Sequence, residues 1–180
     1  DEEEVIREIE KRFRDLIRRA EDVLRRIAEK MKRLKDKTRR LLEELRESNR
    51  KLIKELRDRI RDERLRKEVE DLEKTSRDRL DAIREELRES EERAREILDR
   101  IRRLIEELRR TAKERLDELR DTRRSKEVRD RVEEELKRIE DRLRKLDTDV
   151  DRYLKEHEDR LRKLKEDNER DLKRVEERAR

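Results

Sequence analysis

Apolar residues recur along this chain in steps of three and four. The first train runs Ile6, Ile9, Phe13, Ile17, Ala20, Leu24, Ile27, Met31, Leu34, and continues through Thr38, Leu42, Leu45, Asn49, Ile53, Leu56 and Ile60. Such spacing keeps one face of an α-helix apolar. A longer rhythm lies over it: Ile6, Leu24, Leu42 and Ile60 are 18 residues apart. Eighteen residues close five turns of 3.6, so the stripe runs straight up the helix. A heptad would force a left-handed supercoil and an 11-residue repeat a right-handed one.

The phase slips twice. After Ile60 the next apolar residue is Leu65, which opens a second train through Val69, Leu72, Ser76, Leu80, Ile83, Leu87, Ser90, Ala94, Leu98, Ile101 and on to Leu119. A second slip precedes Val128, which opens a third train through Val132, Leu136, Ile139, Leu143, Leu146, Val150, Tyr153, Leu154, His157, Leu161, Leu164, Asn168 and Leu172 to Ala179. Both slips fall in one repeated phrase, "ELRDRIRDERL" at Glu55–Leu65 and "ELRDTRRSKEV" at Glu118–Val128, 63 residues apart. The phrase is read as an interhelix turn, with Asp62 and Ser125 as N-caps whose side-chain oxygens accept from exposed backbone N–H groups.

The prediction is therefore all-α: a single domain over residues 1–180, built as a single-chain antiparallel three-helix bundle. Its helices are expected at about 2–60, 63–121 and 126–179, with turns near 61–63 and 122–125. Each helix would be about 85 Å long at 1.5 Å per residue. Three apolar stripes meeting on one axis cover one another, and each fully buried aliphatic side chain is worth roughly 1.5–3 kcal/mol.

Composition sharpens this picture. Charged residues make up 65% of the 180 and hydrophobic ones 28%, with no Gly, Pro, Cys or Trp. Such charge often signals disorder, but disorder does not explain an ordered apolar stripe. The absence of Gly and Pro leaves room for very few turns. No disulfide or thiolate chemistry is available. No apolar run is long enough for a membrane span or signal-peptide core, so a soluble chain without a targeting segment is expected. The 61 basic and 56 acidic residues are mixed along the chain. That pattern suits a solvated surface rather than a nucleic-acid footprint.

Candidate chemistry is sparse. His157 is the only histidine, and a metal site would want several His or Cys. Folding the helices back places it near Ser90 and Met31. A Ser–His nucleophile pair there would lack an orienting carboxylate on the core side and an oxyanion loop, so a buried histidine satisfied by a hydroxyl is the expectation. Tyr153 opposite Ala94 and Phe13 opposite Ala112 read as large-against-small core packing. Asn49, Ser76 and Asn168 fall at similar heights; a buried polar layer that sets register is the favoured reading, and boundary positions reached by water are the alternative. Val5, Leu16, Val23, Leu41 and Leu52 are expected to flank the stripe, which favours a monomer. The expected inventory is no catalytic, cofactor-binding or metal residue, no cofactor, no partner, no membrane and only nonspecific nucleic-acid contact.

The straight 18-residue period, the 63-residue units and the interleaved Arg, Glu, Lys and Asp resemble a de novo designed, parametrically generated, untwisted three-helix bundle. The resemblance spans the whole chain. It implies a hyperstable scaffold without a natural biochemical function. Spectrin-type repeats share the helix count but carry core aromatics and heptads. The segment "SRDRLDAIREELRE" at Ser76–Glu89 is similar to exchangeable apolipoprotein helices, which are punctuated by proline. A helical interaction or assembly module and an amphipathic lipid-binding protein are the rival readings.

Overall fold

The computed structural model describes residues 2–121 and 125–180. Three helices account for nearly all of them: α1 (Glu2–Arg59), α2 (Glu63–Arg120) and α3 (Ser125–Arg178). The protein is an all-α three-helix bundle. Residues 122–124 of the turn expected near 122–125, and the side chain of the Ser125 cap, lie outside what is described.

The first turn shows how the chain reverses without glycine. Among the described residues none has a positive φ. Ile60 still donates its N–H to Leu56 O at 3.0 Å, ending α1. Asp62 then caps α2: its Oδ1 accepts from Arg64 N at 3.1 Å, while its carbonyl accepts the first helical bond from Arg66 N at 3.0 Å. The Ile60 side chain is buried with Leu56, Val69, Leu72 and Leu172, so the turn is pinned from inside as well as capped. The phase slip explains why the chain turns at all. At about 100° per residue, five helical residues from Ile60 to Leu65 rotate the stripe by roughly 140°. A helix continued through the turn would aim the two stripes at different sides and leave one in water.

The chain divides into two compact units, each holding a segment of all three helices. Unit 1 comprises residues 1–30 and 93–152. In it α1 and α3 run parallel, joined by a ladder of Arg12–Glu133, Arg19–Glu140 (3.6 Å), Arg26–Asp147 (3.4 Å) and Lys30–Asp151 (2.9 Å). Every rung joins a base on α1 to an acid 121 positions on. The antiparallel α2 joins through Arg109–Glu21 (2.7 Å), Arg142–Glu107 (3.3 Å) and the half-buried Arg115–Glu135 (2.9 Å). Unit 2 comprises residues 31–92 and 153–180. There Arg57–Glu73 ties α1 to α2, Lys37–Glu158 (4.0 Å) ties α1 to α3, and Arg79–Asp171 ties α2 to α3.

The core follows the 18-residue period, but its centre is displaced from the expected line. Ile9, Ile27 and Leu45 are buried, whereas Ile6, Leu24 and Leu42 are half-buried. Leu16 and Val23, expected to flank the stripe, are 3% and 8% exposed, and Ile17 takes the flank instead. On α2, Ile97 is buried in place of Leu98, and Leu104 joins it. The reason is geometric: each helix of a three-helix bundle faces two neighbours, so its apolar band is wider than a single row. Val5, Leu41 and Leu52 are half-buried.

Candidate functional site

Two polar clusters interrupt the apolar core, and both lie within unit 2. The first is built from Thr38 on α1, Glu86 on α2, and His157 and Arg160 on α3. Thr38 and His157 are 0% exposed. Thr38 sits at a stripe position where a β-branched hydroxyl can bond back along its own helix; it donates to Leu34 O at 2.7 Å. Its Oγ1 lies 3.3 Å from His157 Nε2. The other ring nitrogen, Nδ1, is 2.8 Å from Glu86 Oε2. Glu86 Oε1 accepts from Arg160 Nε at 2.8 Å, so the carboxylate is held from both sides. The Tyr153 ring covers the imidazole with centroids 5.9 Å apart.

The electrostatics of this cluster pull in opposite directions. Burial pushes His157 below its ordinary value of 6.5, Glu86 pulls it back up, and Arg160 pushes it down again; the net direction is down. In the neutral imidazole only one nitrogen carries a proton. A proton on Nδ1 faces the Glu86 carboxylate as a close electrostatic contact without hydrogen-bond geometry, and leaves Nε2 an acceptor. The single Thr38 proton then has two acceptors, Leu34 O and His157 Nε2.

These contacts correct two expectations. The partners of His157 are Thr38 and Glu86, not Ser90 and Met31; Ser90 instead donates to its own Leu87 O at 2.8 Å. A carboxylate does reach the core side, since the Glu86 side chain is only 14% exposed. The error in height has a simple origin. Superposing the repeated phrases puts parallel α1 and α3 at an offset of twice 63, or 126. The observed offset of Thr38–His157, and of Asn49–Asn168, is 119, seven residues less. Height is set by how far α2 climbs back, and α2 has only 58 residues.

The second cluster is the expected polar layer. Asn49 Nδ2 donates to Ser76 Oγ at 2.6 Å and to Asn168 Oδ1 at 2.8 Å, and Asn168 Nδ2 returns a bond to Asn49 Oδ1 at 3.0 Å. One residue from each helix contributes, and all three are buried. Beside the layer, Arg79 donates to Asp167 O at 2.9 Å and pairs with Asp171, locking α2 to α3 one turn away. A groove of about 350 Å³ lies over the α1–α2 side of the layer, walled by Arg46, Arg50, Lys54 and Arg57 and floored by Asn49 and Ser76. Both Asn49 amide protons are already donated inward, so the floor offers that groove little.

Among the described residues, no group of three or more His, Cys, Asp or Glu is placed to hold a metal ion, and no helix is long and apolar enough to cross a membrane. Phe13 is fully buried and Tyr153 half-buried. No protein-family model, curated protein or solved structure matches the chain.

Proposed function

We propose that this chain is a designed scaffold: a monomeric, hyperstable, untwisted three-helix bundle without a natural biochemical activity. One observation carries the reading. Each of the six buried polar side chains has a hydrogen-bond partner inside the protein, and the one buried nitrogen among them without such a bond, His157 Nδ1, faces the Glu86 carboxylate at 2.8 Å. Thr38 bonds Leu34 and faces His157, His157 faces Glu86, Ser90 bonds Leu87, and Asn49, Ser76 and Asn168 bond one another. Functional sites characteristically leave such groups aimed at a ligand. All but Ser90, which bonds its own helix, join helix to helix, which is how a polar layer specifies register in an otherwise greasy core.

The hydroxyl–imidazole–carboxylate order of Thr38, His157 and Glu86 invites comparison with a nucleophilic triad. Two facts argue against that role. Leu34 O competes with His157 Nε2 for the single Thr38 proton, and neither Thr38 nor His157 exposes any surface to a substrate. Mixed surface charge supports salt-sensitive, nonspecific contact with nucleic acid at most, and no large hydrophobic side chain is exposed among the described residues to seat a partner or lipid.

The test combines mass in solution with turnover. The scaffold reading expects a monomer mass by light scattering at all concentrations, helical ellipticity retained on heating, and no hydrolase turnover above buffer. A stable dimer mass would favour the assembly-module reading. Reproducible turnover abolished by His157→Gln would overturn the assignment of an inert core.

A further inference from the structure

The two compact units are equal in size, 90 residues each, but unequal in core. Of the 31 buried apolar side chains, nineteen belong to unit 1 and twelve to unit 2, among the described residues. All six buried polar side chains belong to unit 2. A buried amide or hydroxyl exchanges hydrogen bonds to water for hydrogen bonds to protein, with a small net gain, whereas a buried aliphatic side chain contributes its full transfer free energy. Unit 2 therefore has less to hold it together for the same length of chain to be ordered.

We propose that unit 2, residues 31–92 and 153–180, is a separately opening element that unfolds locally while unit 1 stays folded. The helices are continuous across residues 30–31, 92–93 and 152–153, yet continuity alone does not preserve a segment. A stretch of helix stripped of its packed face is marginal in water. The ion pairs of unit 2 are mostly at the surface and contribute little. The turn at 60–62 lies within unit 2, so opening needs no reversal in unit 1 to come apart. The polar layers fix which residues pair in unit 2, and the same layers lower the cost of opening it. Local opening energies that differ within one fold are read directly by amide hydrogen exchange.

The experiment is native-state hydrogen exchange of the full chain by mass spectrometry. Segments 38–53, 70–86 and 157–172 should exchange as one group, at least about tenfold sooner than segments 13–27, 97–112 and 135–150. Ile83 is fully buried in unit 2. Ile83→Ala should speed the first group by about tenfold or more and leave the second within about twofold. The milder Ile83→Val should give the same pattern with smaller factors, and it serves where the Ala variant loses its fold. Equal exchange in both groups, earlier exchange in unit 1, or an acceleration shared equally by the two groups would each overturn the proposal.

Discussion

Replacing Asn49 by Leu should be far more damaging than replacing the whole polar layer. The Asn49 amide makes three hydrogen bonds, at 2.6, 2.8 and 3.0 Å, to Ser76 and Asn168. Leu at 49 keeps the volume, so the cavity contribution is small, but it strands the amide of Asn168 and the hydroxyl of Ser76 in a buried apolar site. Each stranded polar group costs about 1–3 kcal/mol. Allowing for apolar burial gained by Leu, the net loss is about 3–5 kcal/mol. Asn49→Leu/Ser76→Ala/Asn168→Leu removes every polar atom of the layer together, and should be neutral or more stable than the parent by up to about 3 kcal/mol. Guanidinium denaturation followed by helical ellipticity measures both. The sign of the coupling is the test: a strongly destabilised single variant and a rescued triple. A single variant within about 0.5 kcal/mol of the parent would show that water satisfies the stranded groups and that the layer is not sealed.

Burial holds His157 below 6.5, so below about pH 6.5 the unfolded chain takes up a proton that the folded chain resists. Stability should be full above that pH and fall as pH drops toward the folded pKa; His157→Gln should remove the slope in denaturation between neutral and mildly acidic pH. A parent that gains stability on acidification would show the attraction of Glu86 outweighing burial. Asp62→Ala should cost about 1 kcal/mol by removing the cap on Arg64 N, read as a lower denaturation midpoint, and Asp62→Asn should restore most of it. Arg12 holds the Glu133 carboxyl below its usual range through their hydrogen bond. The pair is exposed, so Glu133→Gln should change stability by no more than about 0.5 kcal/mol, less in high salt; a larger loss would mean the α1–α3 ladder stabilises as a network.

The helices were legible in the sequence to within a residue at each described end, because the phase slips mark where a stripe can no longer face its partners. Turn 1 was legible for the same reason, and Asp62 because a short acceptor stood ahead of a new apolar train. The Asn49–Ser76–Asn168 layer could be read because polar residues on a core stripe are rare enough to be matched by height. The environment of His157 could not. Its carboxylate partner is one of 56 acidic residues, and nothing in the local sequence distinguishes Glu86 from its neighbours. Its hydroxyl partner is not legible either, because the 63-residue repeat measures a helix plus a turn along the chain, not height gained in space. The width of the stripe is likewise not legible from one row of apolar positions. Leu16 and Val23 are buried by the second neighbouring helix, which a one-row reading leaves out.

Polar contacts in the core hold the parallel helices α1 and α3 at an offset of 119. The most direct measurement is a proton–proton Overhauser experiment on the side-chain amide of Asn49. Cross-peaks to Asn168 and to the Ser76 β-protons are expected, with that amide slow to exchange. An offset of 126 would place Val175 at the height of Asn49, about 10.5 Å along the helix from the predicted partner. Cross-peaks from the Asn49 amide to Val175 in place of Asn168 would show that the helices are not held at an offset of 119.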